Sequence, residues 1–457
     1  MPNSYLNRTQ EAATNRKKCT LSMWFKTTDS FGTRDYQLWE TFYSASDRIT
    51  VYIDSSDRLN WIDPSVSPGV HVGTNRKFRD PNAWYHVVFQ IDTTESTASD
   101  RIKIYVNGVQ ETSLHSSTYY DQNDDAAFGT TNHINYIGKY GGNTNNNYNG
   151  YMSHVAFVDG SVVAPTVFGE TDSTSGIWKF KPPSGVTWGN CGTHLKFENS
   201  AALGTDSSGN SNTFTVNGDL KQALDTPSNV YATLNRLSNY RSNQTFSYGN
   251  NKIVSPGDRH DFAVSTLGMN VGSGKFYAEF KLIAAAGSEH VVVGISDHYY
   301  MGSNEELGQE NYSIAYINGG TLRSSNTNVA TGVGTYTAGD IIGVAIDMDN
   351  LKIYWHKNGT YVNSGVPTSG STGTGAVSIH NINTSPNSNS RGQGNYFFAV
   401  GNWHSGASST WEANFGNGLF GITPISSAGS NGNGSLFEYD VPSGYYALNT
   451  KNINTYG

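Results

Sequence analysis

The acidic run DQNDD sets Asp121, Asn123 and Asp125 at alternate positions, and clustered oxygens are what a hard cation such as calcium takes. The run departs from the EF-hand loop, with Ala126 in place of the sixth-position Gly and Asn132 in place of the twelfth-position Glu. A solvated acidic loop is the plainer reading, with calcium as its alternative. Glycan binding asks for an aromatic ring beside Asn, Asp or backbone donors. Three pairs have that makeup: Trp403 with His404 in GNWHSG, Tyr119 with Tyr120 next to the acidic run, and Tyr299 with Tyr300 after GISD. Each pair also suits packing inside a domain or at a subunit contact.

Hydrolysis of a glycosidic bond with retention needs two carboxyls about 5–5.5 Å apart, which residues i and i+2 on a strand approach. The nearest candidates are Asp347 and Asp349, but they run into the turn at Asp349-Asn350, where Asp349 is better suited to capping. The chain has no ExDxE pattern, no HExxH and no evident Ser/His/Asp grouping among its 12 His residues. Catalysis is not expected. A polysaccharide depolymerase that depends on Asp347 is the least favoured reading.

The elements that would position these residues are strands. Of the 457 residues only 14 % are charged, yet 12 % are aromatic, a mixture suited to half-buried strands and poor for long helices. Strand-like runs include TLSMWFK (20–26), RITVYID (48–54), WYHVVFQID (84–92), IKIYVNGVQ (102–110), INYIGKY (134–140) and YMSHVAFVDG (151–160). A second series holds KFYAEFKLI (275–283), HVVVGISD (290–297), YSIAYIN (312–318), DIIGVAIDMD (340–349), LKIYWHKNGTYV (351–362), YFFAVGNWH (396–404) and TWEANFG (410–416). Ile91-Asp92 before KIYVNG is echoed by Ile346-Asp347 before KIYWHKNG, each a strand and a hairpin tipped by Asn-Gly. The expected organisation is all-β: a sandwich over 1–170, an ordered connector over 171–235, a second sandwich over 236–425 and a tail over 426–457. Trp178, Phe180, Trp188 and Phe197 give the connector something to pack with.

The net charge of −8, without a long basic run, speaks against nucleic acid as a partner. The cluster Arg16, Lys17, Lys18 reads as a solvated strand lead-in. No apolar run approaches the ~18 residues that cross a bilayer, and MPNSYLNRTQEAATNRKKC has no apolar core for a secretory signal. Neither membrane insertion nor a signal peptide is expected. Cys19 alternates with Leu21, Met23 and Phe25 and should point inward. Cys191 lies in GNCGTH. Two free thiols are favoured over a disulfide, which stays open.

The runs WYHVVFQID…RIKIYVNGV and NYIGKYG…YNGYMSHVAFVDG resemble the laminin-G/pentraxin type of concanavalin-like sandwich, over roughly residues 5–170. GKFYAEFKL, HVVVGISD, IIGVAIDMDNLKIYWHKNG and YFFAVGNW resemble the SPRY domain, over roughly 236–420. FENSAALGTDSSGNSNTFTVNG…DTPSNVYATLN and PSGYYALNTKNI are similar to segments beside such domains in marine bacteriophage structural proteins. The resemblance implies two concanavalin-like sandwiches on a virion surface, on tail or head, acting as a fibre- or spike-type adhesin. Its partners would be other virion proteins and a host-surface polysaccharide or protein, and its state a homotrimer gaining avidity. A capsid decoration protein is the alternative. The chain departs from long tail fibres in showing no heptad or collagen-like repeat.

Overall fold

The computed structural model describes residues 4–28, 32–143, 146–238, 244–257, 262–286, 291–297, 307–309, 312–384, 394–402, 406 and 408–457. These form antiparallel β-sandwiches in two compact units, Met1–Gln222 and Ala223–Gly457.

In the first unit, an eight-stranded sheet runs in the order Leu114–Thr118, Val70–Lys77, Arg58–Asp63, Asp47–Ile53, Tyr36–Ser44, Ile134–Ile137, Tyr5–Thr9, Thr215–Asn217. A six-stranded sheet has the order Thr193–Leu195, Gly150–Asp159, Lys18–Thr27, Tyr85–Asp92, Ile102–Val106, Val109–Gln110. Period-two alternation decides which side chains lie between them. Cys19, Leu21, Met23 and Phe25 enter the core with Val87, Phe89 and Ile91, opposite Trp39, Val51, Trp61 and Val72. Both cysteines are free and buried, and the Cys191 thiol donates to the Glu11 carbonyl at 2.9 Å.

The second unit repeats the principle. Phe276, Ala278, Phe280 and Leu282 of the strand Lys275–Ala286 share a core with Val291, Val293, Ile295, Tyr316, Trp355 and Trp411. Its two larger sheets have nine and six strands. Hairpin tips fall where Asn-Gly places them: Asn107 and Gly108 take φ of 49° and 78°, Asn358 and Gly359 take 49° and 85°, as a tight hairpin turn requires.

Residues of the expected connector and tail join the neighbouring units. Thr193–Leu195 and Thr215–Asn217 join the sheets of the first unit, while residues 223–235 belong to the second. Tail residues Phe437, Val441 and Tyr445 pack with Tyr231, Tyr277 and Tyr354. The physical reason is burial: short strands and aromatics in these stretches find partners within the neighbouring sandwich and have no core of their own.

Candidate functional site

The outward faces of the first unit's two sheets differ. The six-stranded sheet turns Ser22, Trp24, His86, Ala156 and Val158 outward, and residues from 163–188 cover them. His86 stacks between Trp24 and Trp178, at centroid distances of 4.6 and 6.0 Å. Its Nδ1 accepts from Trp178 Nε1 at 3.0 Å, which leaves Nε2–H to donate to Ser22 Oγ at 2.8 Å. Burial holds this imidazole down to about 3. His154 lies flat on Phe180 at 3.5 Å, and His194 stacks on Trp188 at 5.4 Å. This is packing, and it closes the face.

The eight-stranded sheet turns a polar face outward, part-exposed at Tyr5, Tyr52, Tyr136, His71 and His115 but buried at Glu40, Thr50, Asn60 and Gln37. Strand register lines up Thr118, His71, Ile62, Thr50, Glu40, Tyr136, Asn7 and Thr215 across all of its strands. A second row holds Ser116, Gly73, Asn60, Tyr52 and Gln37. Their neighbours along each strand, such as Val72, Trp61, Val51 and Trp39, point the other way into the core. Tyr5, Tyr52, Tyr136, Tyr140, His71 and His115 are half-buried, so each keeps part of its ring available.

Glu40 sits at the centre and is fully buried. Its carboxylate accepts from Thr50 Oγ1 at 2.9 Å and from the Gly141 amide at 2.5 Å, with Arg48 Nε at 4.0 Å. Burial outweighs those three and pushes the carboxyl up to about 7. None of the groups holding Glu40 is a second carboxylate. Lys139 Nζ lies 4.2 Å from the Tyr5 ring centroid and 5.5 Å from that of Tyr136. The Tyr52 hydroxyl is pushed up to about 12, by burial first and then by Asp35 and Asp54. Gln37 Oε1 is buried without a hydrogen-bond partner. The face thus carries part-exposed aromatic rings and a positive charge on a rigid sheet, with Glu40, Asn60 and Gln37 buried among them, a combination that holds polar ligands with apolar faces.

The residues singled out from sequence lie elsewhere. Tyr120 is fully buried: its hydroxyl accepts from Trp61 Nε1 at 3.1 Å and donates to Asp63 Oδ2 at 2.9 Å. It offers no platform, because its ring belongs to the core. Tyr119 packs half-buried against that core. Asp125 is paired with Lys17 Nζ at 2.9 Å, and the same ammonium donates to the Asn123 carbonyl. Asp121 is exposed, with its amide on Asp124. Lysine already supplies this loop with its cation. Among the described residues, no three or more His, Cys, Asp or Glu side chains are grouped to hold a metal. Trp403, His404, Tyr299 and Tyr300 lie outside the described residues. Asp347 is buried against Lys275 and Asn350, and Asp349 accepts from the Gly274 amide.

The candidates named from sequence do not include this face. The signal was present in RITVYID, RLNWID and VHVGTN, whose outward phase carries Arg, Thr, Tyr, Asn and His in place of simple solvating side chains.

Residues 3–168 match the family model described as the concanavalin A-like lectin/glucanases superfamily, in its laminin-G form. Residues 275–379 match the SPRY domain. No curated protein matches the chain. Solved structures similar to it include the SPRY domain of human HERC1, at 15 % identity over 36 % of this chain and 87 % of that one, with a TM-score of 0.26. The native heptameric SAP-like pentraxin of Limulus polyphemus is 13 % identical over 47 % and 86 %, with a TM-score of 0.30. The Ruminococcus gnavus IT-sialidase CBM40, bound to alpha2,3 sialyllactose, is 12 % identical over 30 % and 72 %, with a TM-score of 0.23. The chain thus carries a laminin-G-like domain of the concanavalin fold, followed by a SPRY domain.

Proposed function

We propose that the protein is an adhesin displayed on a virion, binding a host-surface glycan on the outward face of the eight-stranded sheet. The observation that carries the glycan reading is the set of part-exposed rings on that face, Tyr5, Tyr52, Tyr136 and Tyr140, beside Lys139, His71 and His115. Sugar rings stack their C–H faces on aromatics, while their hydroxyls pair with amides and carboxyls. Two families of binding domain in one chain support a role in recognition of carbohydrate or protein. The likeness of the 197–235 and 442–453 stretches to phage structural proteins supports display on a particle, and a trimer would add avidity.

The test is binding of the purified protein to host cells and to their envelope polysaccharide, with Tyr52→Ala and Tyr136→Ala alongside. Saturable polysaccharide binding, weakened roughly tenfold or more by either variant, is expected, since buried aromatic anchors carry about 1–3 kcal/mol at such sites. Binding to particles alone, with none to cells or polysaccharide, overturns the reading in favour of capsid decoration.

A further inference from the structure

One corner of the outward face brings three donor atoms to a point. The register break between Leu114 and Ser116 leaves His115 as the extra residue on the edge strand, and such bulges re-aim side chains. His115 reaches over Gly73, where a Cβ would meet Asn60 Oδ1 and His115 Nε2, both at 2.3 Å. The missing side chain is therefore what lets the groups converge. His115 Nε2 is 2.7 Å from Asn60 Oδ1, and His71 Nε2 is 3.0 Å from the same oxygen. The two imidazole centroids stand 5.4 Å apart, at 77°. Asn60 is fully buried, and its amide nitrogen donates to the Arg58 carbonyl at 2.8 Å. That bond fixes which end of the amide faces the imidazoles.

Two N–H donors on one oxygen satisfy this geometry without an ion. A metal would need little change. Tetrahedral bonds of 2.0–2.1 Å put donor atoms about 3.4 Å apart and imidazole centroids about 5 Å apart. The His115–Asn60 contact would open by about 0.7 Å and the His71–Asn60 contact by about 0.4 Å.

We propose that His71 Nε2, His115 Nε2 and Asn60 Oδ1 form a binding site for a first-row transition-metal ion of the zinc, copper or nickel class. Imidazole suits these ions, and a lone amide oxygen gives little to calcium. On binding, each neutral imidazole carries its proton on Nδ1 in place of Nε2, so no proton leaves and both lone pairs face the ion. The nearby Arg58 guanidinium is paired with Asp54 at 2.9 Å, so its charge is locally offset. Water or a ligand oxygen would complete the shell, whether or not the face binds a glycan.

The test is titration of tag-free full-length protein with cupric ion alone near neutral pH, followed by calorimetry and electron paramagnetic resonance. One ion per chain is expected, with hyperfine structure from two nitrogens. His71→Gln and His115→Gln should each weaken binding at least tenfold. Gly73→Ala keeps every donor but inserts a methyl group among them, and it should do the same. Should any variant fail to fold, selective broadening of the His71 and His115 ring signals by cupric ion in the unaltered protein serves in its place. No stoichiometric binding, or broadening centred on other histidines, overturns the proposal. Undiminished binding in folded His71→Gln and His115→Gln does so too.

Discussion

His86 and Asn107 are tied twice, the Asn107 amide donating to the His86 carbonyl at 2.8 Å and the Asn107 side-chain oxygen accepting from the His86 amide at 2.9 Å. Asn358 makes the same two bonds to Ile341 in the second domain, at 2.9 and 2.8 Å. The hairpin-tip asparagine thus holds the beginning of the strand paired with the one it ends, while adopting positive φ. Asn107→Ala and Asn358→Ala lose the side-chain bond and also strain the left-handed backbone, so each should cost about 1–3 kcal/mol in urea melts. The glycine variants tolerate the backbone and should cost less.

Tyr120→Phe should leave ligand binding intact and lower stability by roughly 1–3 kcal/mol. It strands Trp61 Nε1 and removes one of the donors to buried Asp63. A folded variant with normal stability and lost binding would return Tyr120 to the list of ligand residues.

In the second domain, Glu279 accepts from the backbone amides of Glu438 and Tyr439, both at 2.8 Å, and from the Tyr277 hydroxyl at 2.9 Å. Glu279→Ala leaves three donors without their acceptor and should cost roughly 3–5 kcal/mol. Limited proteolysis should then cut near residues 426–440 faster than in the unaltered protein.

The first domain should be labile to acid. His86 and His154 are held down to about 3 and His194 to about 4, by burial in each case. Their contribution is full above the ordinary 6.5 and is lost as the pH falls toward those values. Glu40 acts in the opposite sense. Raised to about 7, it contributes fully below the ordinary carboxyl value and loses that contribution as the pH rises through 7. Three histidines outweigh one carboxyl, so the melting temperature should fall between pH 7 and pH 5. Glu40→Gln removes the opposing slope and should steepen the fall, as read by calorimetry.

Calcium should have no effect on the 121–125 loop, where Lys17 neutralises Asp125. Thermal melts in millimolar calcium and in chelator should coincide within about 1 °C, because a ligand stabilises only in proportion to its binding. A rise with calcium would restore the cation reading.

Strand alternation, the Asn-Gly hairpins and the inward phase of Cys19 were legible in the sequence, because period-two burial and positive-φ turns are local properties. Which sheets residues 171–235 join was not, since their strands are three residues long and gain identity only from a partner such as Gly150–Asp159 or Tyr5–Thr9. The site was half legible. Outward His71, Asn60 and Tyr52 can be read from strand phase, but their meeting depends on register across strands and on a bulge at His115. Tyr120 misled because a Tyr-Tyr pair beside an acidic loop looks exposed until Asp63 is found inside the core to receive its hydroxyl.

Tyr446–Ala447 lies parallel to Phe276–Tyr277, and Asn449 bridges to Tyr231. The second domain is therefore closed by its latest-made residues. During synthesis the strand Lys275–Ala286 must wait for Ile341–Asp347, then Ser408–Asn414, and last for this clasp. Pairings so distant in sequence form slowly, leaving an unpaired, apolar edge exposed on the ribosome. The first domain can complete its fold in that interval, and the nascent second domain is where a chaperone would be needed.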